Sequence, residues 1–135
     1  MLRGLLITHG DLGASLLETA IGIVGPAPGV EAISNRGQSR EGLTRLIEAR
    51  LAAWNGEEGV VLTDIHGGSC AQAAMSGALA GRGAPVITGV NLPMLVDFLV
   101  NRGTYAGVEM AARLVEKGKA GVRLLDSPGA TQGNP

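Results

Sequence analysis

Short apolar runs bounded by glycine or turn residues alternate along the chain with stretches in which apolar residues recur at helical spacing. The first run, residues 2–8, is nearly all apolar and reads as a strand buried on both faces, as in a parallel sheet. Behind it Leu12, Leu16, Ala20 and Val24 recur at helical spacing, with Asp11 and Glu18 off that stripe, and Gly25-Pro26 stops the helix. Residues 30–34 form a second brief strand, 35–39 a polar loop, and a second helix starts near Arg40. Its Leu43, Leu46, Ile47 and Leu51 share one face, while Arg40, Glu41, Arg45 and Glu48 face outward.

The third strand, residues 59–63, runs straight into Asp64-Ile65-His66-Gly67-Gly68-Ser69, a turn rich in polar groups. Ala71, Ala74, Met75, Ala78 and Leu79 then keep helical spacing with small side chains that allow close packing of helix on sheet. Residues 84–90 read as a fourth strand. Pro93 stands where a helix can begin, because its missing amide costs little in a first turn, and Met94, Leu95, Phe98 and Leu99 follow. A further helix over 105–117 presents Val108, Ala111, Ala112 and Val115 inward and ends at Gly118. A last strand occupies 121–126, and 127–135 form a flexible tail behind a single domain, 1–126.

The order β-α-β-α-β-α-β-α-α-β predicts a doubly wound, mainly parallel α/β sheet. With strand order 2-1-3-4, strands one and three are neighbours at the topological switch point, where open sheets bind ligands beyond their carboxyl ends. Those ends carry His9 and Asp64. Two glycine-rich polar loops far apart in sequence therefore meet there.

Composition narrows the function classes. The 135 residues suffice for one hydrophobic core, and that core is aliphatic, since hydrophobic residues make up 45% of the chain and aromatics only 2%. A net charge of -1 with acids and bases intermixed, and only Trp54, Phe98 and Tyr105 as aromatics, leaves no footprint for nucleic acid. The single cysteine, Cys70, cannot close an internal disulfide, and no leader pattern opens the chain; a reducing, cytoplasmic location is expected. Every apolar stretch is broken well before the roughly 20 residues of a membrane span, so a soluble protein without membrane insertion is expected.

A neutral imidazole is a nucleophile at one nitrogen only if the other keeps its proton, and a carboxylate bonded to that N–H fixes the tautomer. Asp64 can serve His9 this way and can stabilise the charge that develops as the free nitrogen attacks phosphorus. The amides of Gly67, Gly68 and Ser69, at a helix start, and the Ser69 hydroxyl supply donors for a phosphoryl group. Taken alone, Asp64 also reads as a helix cap and Cys70 as a packed thiol. His66 and Cys70, with His9 and Asp64, raise the question of a metal. Their spacing matches no standard zinc pattern, and no metal or cofactor is expected. Gly68-Ser69-Cys70 likewise lacks the G-x-S-x-G elbow of a serine hydrolase.

Three stretches, ITHGDLGASLLETA, VLTDIHGGSCAQAA and GVNLPMLVDFL, together resemble the mannose-family enzyme IIA domain of the bacterial sugar phosphotransferase system, over about the whole chain. The resemblance implies a histidine phosphocarrier in which His9 accepts phosphate from phospho-HPr on Nε2 and passes it to a histidine of enzyme IIB. Asp64 matches the aspartate that holds Nδ1. It also implies a homodimer in which the C-terminal strand, here 121–126, crosses to the other subunit's sheet as an antiparallel strand. No fused IIB or membrane domain is expected. The sugar is bound by other components. Departures from the family pattern are His66, where an apolar or aromatic residue is usual, and Cys70-Ala71-Gln72 in place of Pro-Phe-Asn; they bear on partner choice, because His9, Asp64 and the glycine pair are retained. The alternative is a regulatory module on the same fold that responds to phosphorylation without serving sugar transport.

Overall fold

The computed structural model describes residues 1–80 and 83–126, the side chains of Leu79 and Ala80 excepted. The expected tail, 127–135, and the inward place expected for the Leu79 side chain lie outside the described residues. Among them, β1 (Arg3–Thr8), α1 (Leu12–Val24), β2 (Val30–Ser34), α2 (Arg40–Ala52), β3 (Gly59–Thr63), α3 (Ser69–Ala80), β4 (Val86–Ile87), α4 (Leu92–Asn101) and α5 (Gly107–Ala120) follow in order. The strands form one sheet in the order β2-β1-β3-β4, parallel throughout. The register Ile7↔Ile33 and Ile7↔Thr63 brings the carboxyl ends of β1, β2 and β3 level.

Alternation along the strands divides the core in two. Leu6, Val60 and Leu62 face one layer, made by α1, α4 and α5, whereas Leu5, Ile7 and Val61 face α2 and α3. Every residue of β3 is buried, which is why its sequence runs unbroken in Val and Leu rather than alternating with polar residues. In the second layer a Cβ on Gly77 would stand 2.6 Å from Ile47 Cγ2. The small residues of α3 thus serve contact with α2 as well as with the sheet.

Helix faces differ from the expected stripes in three places. In α1 the buried positions are Gly13, Leu17 and Ala20, while Leu12 and Val24 are exposed. The first turn is pressed onto β1, with the Gly13 amide donating to Thr8 Oγ1 at 2.7 Å, and this turns Gly13 inward. In α3 the buried side chains are Cys70, Ala71, Ala73, Ala74 and Ala78, and Met75 is exposed. In α5 Gly107, Met110, Leu114 and Gly118 face inward, and Val108 and Val115 outward. A Cβ on Gly118 would approach Met94 Cε to 2.7 Å, so this glycine belongs to a close helix crossing and the helix continues past it. Strand β4 is limited to Val86–Ile87, shorter than the run 84–90.

Residues 122–126 form no strand among the described residues, and Val122, Leu124 and Leu125 are exposed. The last strand expected over 121–126 is therefore absent from this chain's own sheet: Gly121 belongs to the helix end, where its amide bonds back to Lys117.

Candidate functional site

Three connections converge at the carboxyl edge of the sheet because β2 and β3 flank β1. The turn after β1 carries His9, the connection after β2 carries Asn35 and Arg36, and the connection after β3 carries Asp64 to Ser69. Thr8 is the last residue of β1, so His9 leaves the sheet where its neighbour strand ends at Thr63 and hands on to Asp64.

Asp64 binds His9 twice through one oxygen. Oδ2 accepts the His9 backbone amide at 2.9 Å and lies 2.8 Å from ring Nδ1. The other oxygen, Oδ1, accepts the Ile65 amide at 3.1 Å. The carboxylate is thereby fixed in position and is 10% exposed, against 47% for the His9 side chain. Burial pushes the Asp64 carboxyl up, but the hydrogen bonds from the His9 amide and ring outweigh it and hold the group below its ordinary value. It is an ionised acceptor, and an ionised acceptor opposite Nδ1 requires a proton on that nitrogen.

The other ring nitrogen, Nε2, lies 3.3 Å from Ser69 Oγ. Gly68 is packed against the ring, since a Cβ there would stand 3.4 Å from His9 Cε1 and 2.9 Å from Ile65 Cγ2. Gly67 has φ +80, a left-handed conformation that favours glycine, and lets the chain turn from Asp64 into α3. The amides of Gly67, Gly68 and Ser69 have no hydrogen-bond acceptor among the described residues, as befits the entry to a helix. His9, Asp64, Gly68 and Ser69 thus come together around the imidazole, and Gly67 shapes the connection.

Cys70, expected from the sequence as a packed thiol, and two residues beyond the sequence reading, Asn35 and Arg36, also belong to this place. Cys70, fully buried, brings its Sγ to 3.7 Å from His9 Nδ1. Its thiol is pushed up to about 11 by burial and by the Asp64 carboxylate, against a smaller effect of its hydrogen bond with Ser69. It is a neutral packing group. Asn35 Oδ1 accepts the Gly10 amide at 3.1 Å, and Arg36 pairs with Asp11 at 3.0 Å. Polar residues in a loop carry no signal of which turn they will meet until strand order is known.

The donor atoms of His9, Asp64 and Cys70 lie within 4.8 Å of one another, a set that could hold a cation, and His66 is not part of it. His66 is exposed and lines an adjoining groove of about 560 Å³ with Arg40, Gly67, Gln72 and Met75. Because Nδ1 and Oδ2 are already joined, a cation there would have to displace the hydrogen bond that fixes the ring.

The model of the EIIA-man family, described as "PTS system fructose IIA component", matches residues 4–115. The mannose-specific EIIAB component of the phosphotransferase system from Escherichia coli strain K12 is 36% identical over 121 residues, which cover 87% of this chain and 38% of that protein. The chain thus spans about two fifths of the length of the curated relatives it matches. Among solved structures, the mannose/sorbose specific IIA subunit from Enterococcus faecalis superposes with a TM-score of 0.86 and 26% identity, covering 96% of this chain and 98% of that one. The EIIA component from Streptococcus agalactiae has a TM-score of 0.81 at 19% identity, covering 91% of this chain and 96% of that one, a likeness of fold.

Proposed function

The chain belongs to the EIIA-man family of phosphotransferase-system IIA components, and from that premise we propose that it is a histidine phosphocarrier whose acceptor is His9. The observation that carries this reading is the asymmetric setting of the imidazole. Nδ1 is held by Asp64 at 2.8 Å, while Nε2 sits beside Ser69 on a ring that is 47% exposed.

The chemistry follows from that asymmetry. The Nε2 lone pair forms the new bond to phosphorus as the N–P bond of a donor phosphohistidine breaks, and the released electron pair stays on the donor imidazole. Nδ1 keeps its proton, and the positive charge that develops on the His9 ring faces the Asp64 carboxylate. The three equatorial oxygens of the transferring group need donors already in place. Ser69 Oγ and the unsatisfied amides of Gly67, Gly68 and Ser69 are the local supply. The reverse step delivers the group to a second acceptor.

In this reading the donor is phospho-HPr and the acceptor a histidine of enzyme IIB. The protein works as a homodimer, in which the apolar residues of 122–126 leave solvent by pairing with a second copy's sheet. No helix among the described residues is long and apolar enough to cross a membrane, in keeping with a carrier that works in the cytoplasm between protein partners. Incubation with phospho-HPr tests the proposal. The wild-type chain is expected to take up one acid-labile phosphoryl group and H9A none; uptake by H9A at the wild-type level refutes it.

A further inference from the structure

We propose that Arg36 is a phosphate ligand of this site, parked on Asp11 in the resting state and engaging the phosphoryl group when His9 carries it. The inference rests on the reading of His9 as phosphoryl acceptor and adds to it a residue on a different connection, after β2.

The connection is anchored on both sides of His9. The Asn35 amide donates to the Thr8 carbonyl at 3.1 Å, and Asn35 Oδ1 accepts the Gly10 amide at 3.1 Å. Arg36 follows directly, its own amide bound to Ser34 Oγ at 3.0 Å. Its guanidinium lies over Gly10: a Cβ on that glycine would stand 3.4 Å from Nη2, 3.9 Å from Cζ and 4.0 Å from Nε. Gly10, next to His9 in the chain, has φ +57 and no side chain, which leaves the space over its own Cα to the guanidinium.

Only one corner of the fork is used. Nη1 donates to both oxygens of Asp11 at 3.0 Å, whereas Nη2 and Nε have no partner among the described residues. Both side chains of the pair are largely exposed, 68% for Arg36 and 71% for Asp11, so the pair is weakly held and free to exchange partners. A phosphoryl dianion offers more charge and three acceptor oxygens to the planar fork, a stronger match than one solvated carboxylate. Arg36 also has a role before transfer. Asp11 and Asp64 are two carboxylates close in the chain or in space to His9. Without Arg36 on Asp11, an incoming phosphoryl group would meet more uncompensated negative charge.

Potassium phosphoramidate tests this without any protein donor: the phosphoryl group moves to Nε2 as the P–N bond breaks and ammonia leaves. Wild type, R36Q, R36K and D11N are compared by rate of phosphorylation and by the 31P chemical shift of the phosphohistidine. R36Q is expected to react about 5- to 10-fold more slowly at low ionic strength, with a displaced 31P resonance, and the gap is expected to close in high salt. R36K recovers part of the rate, and D11N reacts at least as fast as wild type. R36Q matching wild type in rate and shift overturns the inference while leaving His9 as acceptor. D11N as slow as R36Q also overturns it, because the pair would then only brace the turn. A wild-type chain that takes no phosphate, beside a histidine peptide that does, removes the reading of His9 and this inference with it.

Discussion

The substitution D64N separates the role of the Asp64 charge from that of its shape. Asparagine keeps the size of the side chain and one carbonyl oxygen. Because a single oxygen of Asp64 faces both the His9 amide and Nδ1, that carbonyl can keep both bonds, while the –NH₂ group is turned to the Ile65 amide, a donor against a donor. D64N thus keeps the Nδ1–H tautomer and loses the negative charge opposite the developing imidazolium, whereas D64A loses the charge and also the acceptor that fixes the tautomer. A charge-assisted hydrogen bond contributes about 1.5–3 kcal/mol, which corresponds to a loss of about 10- to 100-fold in phosphorylation rate for D64A. D64N, left with a neutral hydrogen bond, is expected to fall between D64A and wild type. The assay is the initial rate of labelling from phospho-HPr, paired with 15N shifts of the imidazole to identify the protonated nitrogen. Wild-type chain and D64N should show Nδ1–H, and D64A a mixture of the two tautomers. A D64A chain that is labelled at the wild-type rate refutes the orienting role. D64N also has a signature in stability. Folding holds the Asp64 carboxyl below its ordinary 3.8, so its stabilisation is fully present above that value and is lost as pH falls from there through the folded value. D64N should lack this acid-side loss in pH-dependent unfolding.

Four further outcomes follow from the packing. G68A places a methyl 3.4 Å from His9 Cε1 and 2.9 Å from Ile65 Cγ2, so labelling should slow several-fold with unfolding temperature little changed; an unaltered rate counts against close packing on the ring. G77A puts a methyl 2.6 Å from Ile47 Cγ2, an overpacking cost of about 1–3 kcal/mol against a helix-propensity gain of up to about 1 kcal/mol. A lowered midpoint in urea is expected, and a raised one contradicts the α2–α3 contact. Cys70, fully buried with its thiol at about 11, should resist a thiol reagent at pH 8 in the native protein and react after denaturation; rapid native labelling is inconsistent with this site. On the proposed dimer, the wild-type chain should have the mass of two copies in light scattering and the L124E/L125E double variant that of one; a monomeric wild type, or a double variant of unchanged dimeric mass, argues that these exposed leucines do not hold copies together.

Strand order and the meeting of His9 with Asp64 were legible because each strand is short, nearly continuous in apolar residues and closed by a turn. In β3 both faces are covered, so the unbroken GVVLT has a single consistent reading. The helix faces were harder to read. Apolar residues populate more than one side of α1 and α5, and the positions that approach most closely are glycines, which a hydrophobic pattern counts as breaks: Gly13 against Thr8, Gly118 against Met94. The same blindness applies to the site's periphery. Cys70 looks like any small core residue until the turn after β3 folds it under His9. Asn35 and Arg36 are ordinary loop residues until the parallel pairing of β2 with β1 sets them beside Gly10. Residues 122–126, apolar at Val122, Leu124 and Leu125 and bounded by Gly121, read as a short strand but form none among the described residues of their own chain.

The most direct test is where the phosphoryl group is found. Wild-type chain labelled by phospho-HPr can be characterised by 31P and 15N NMR, with H66A as a control for the other histidine. The account predicts one phosphohistidine, on Nε2 of His9, unaffected by H66A. A phosphoryl group on Nδ1 of His9, or on His66, would contradict it.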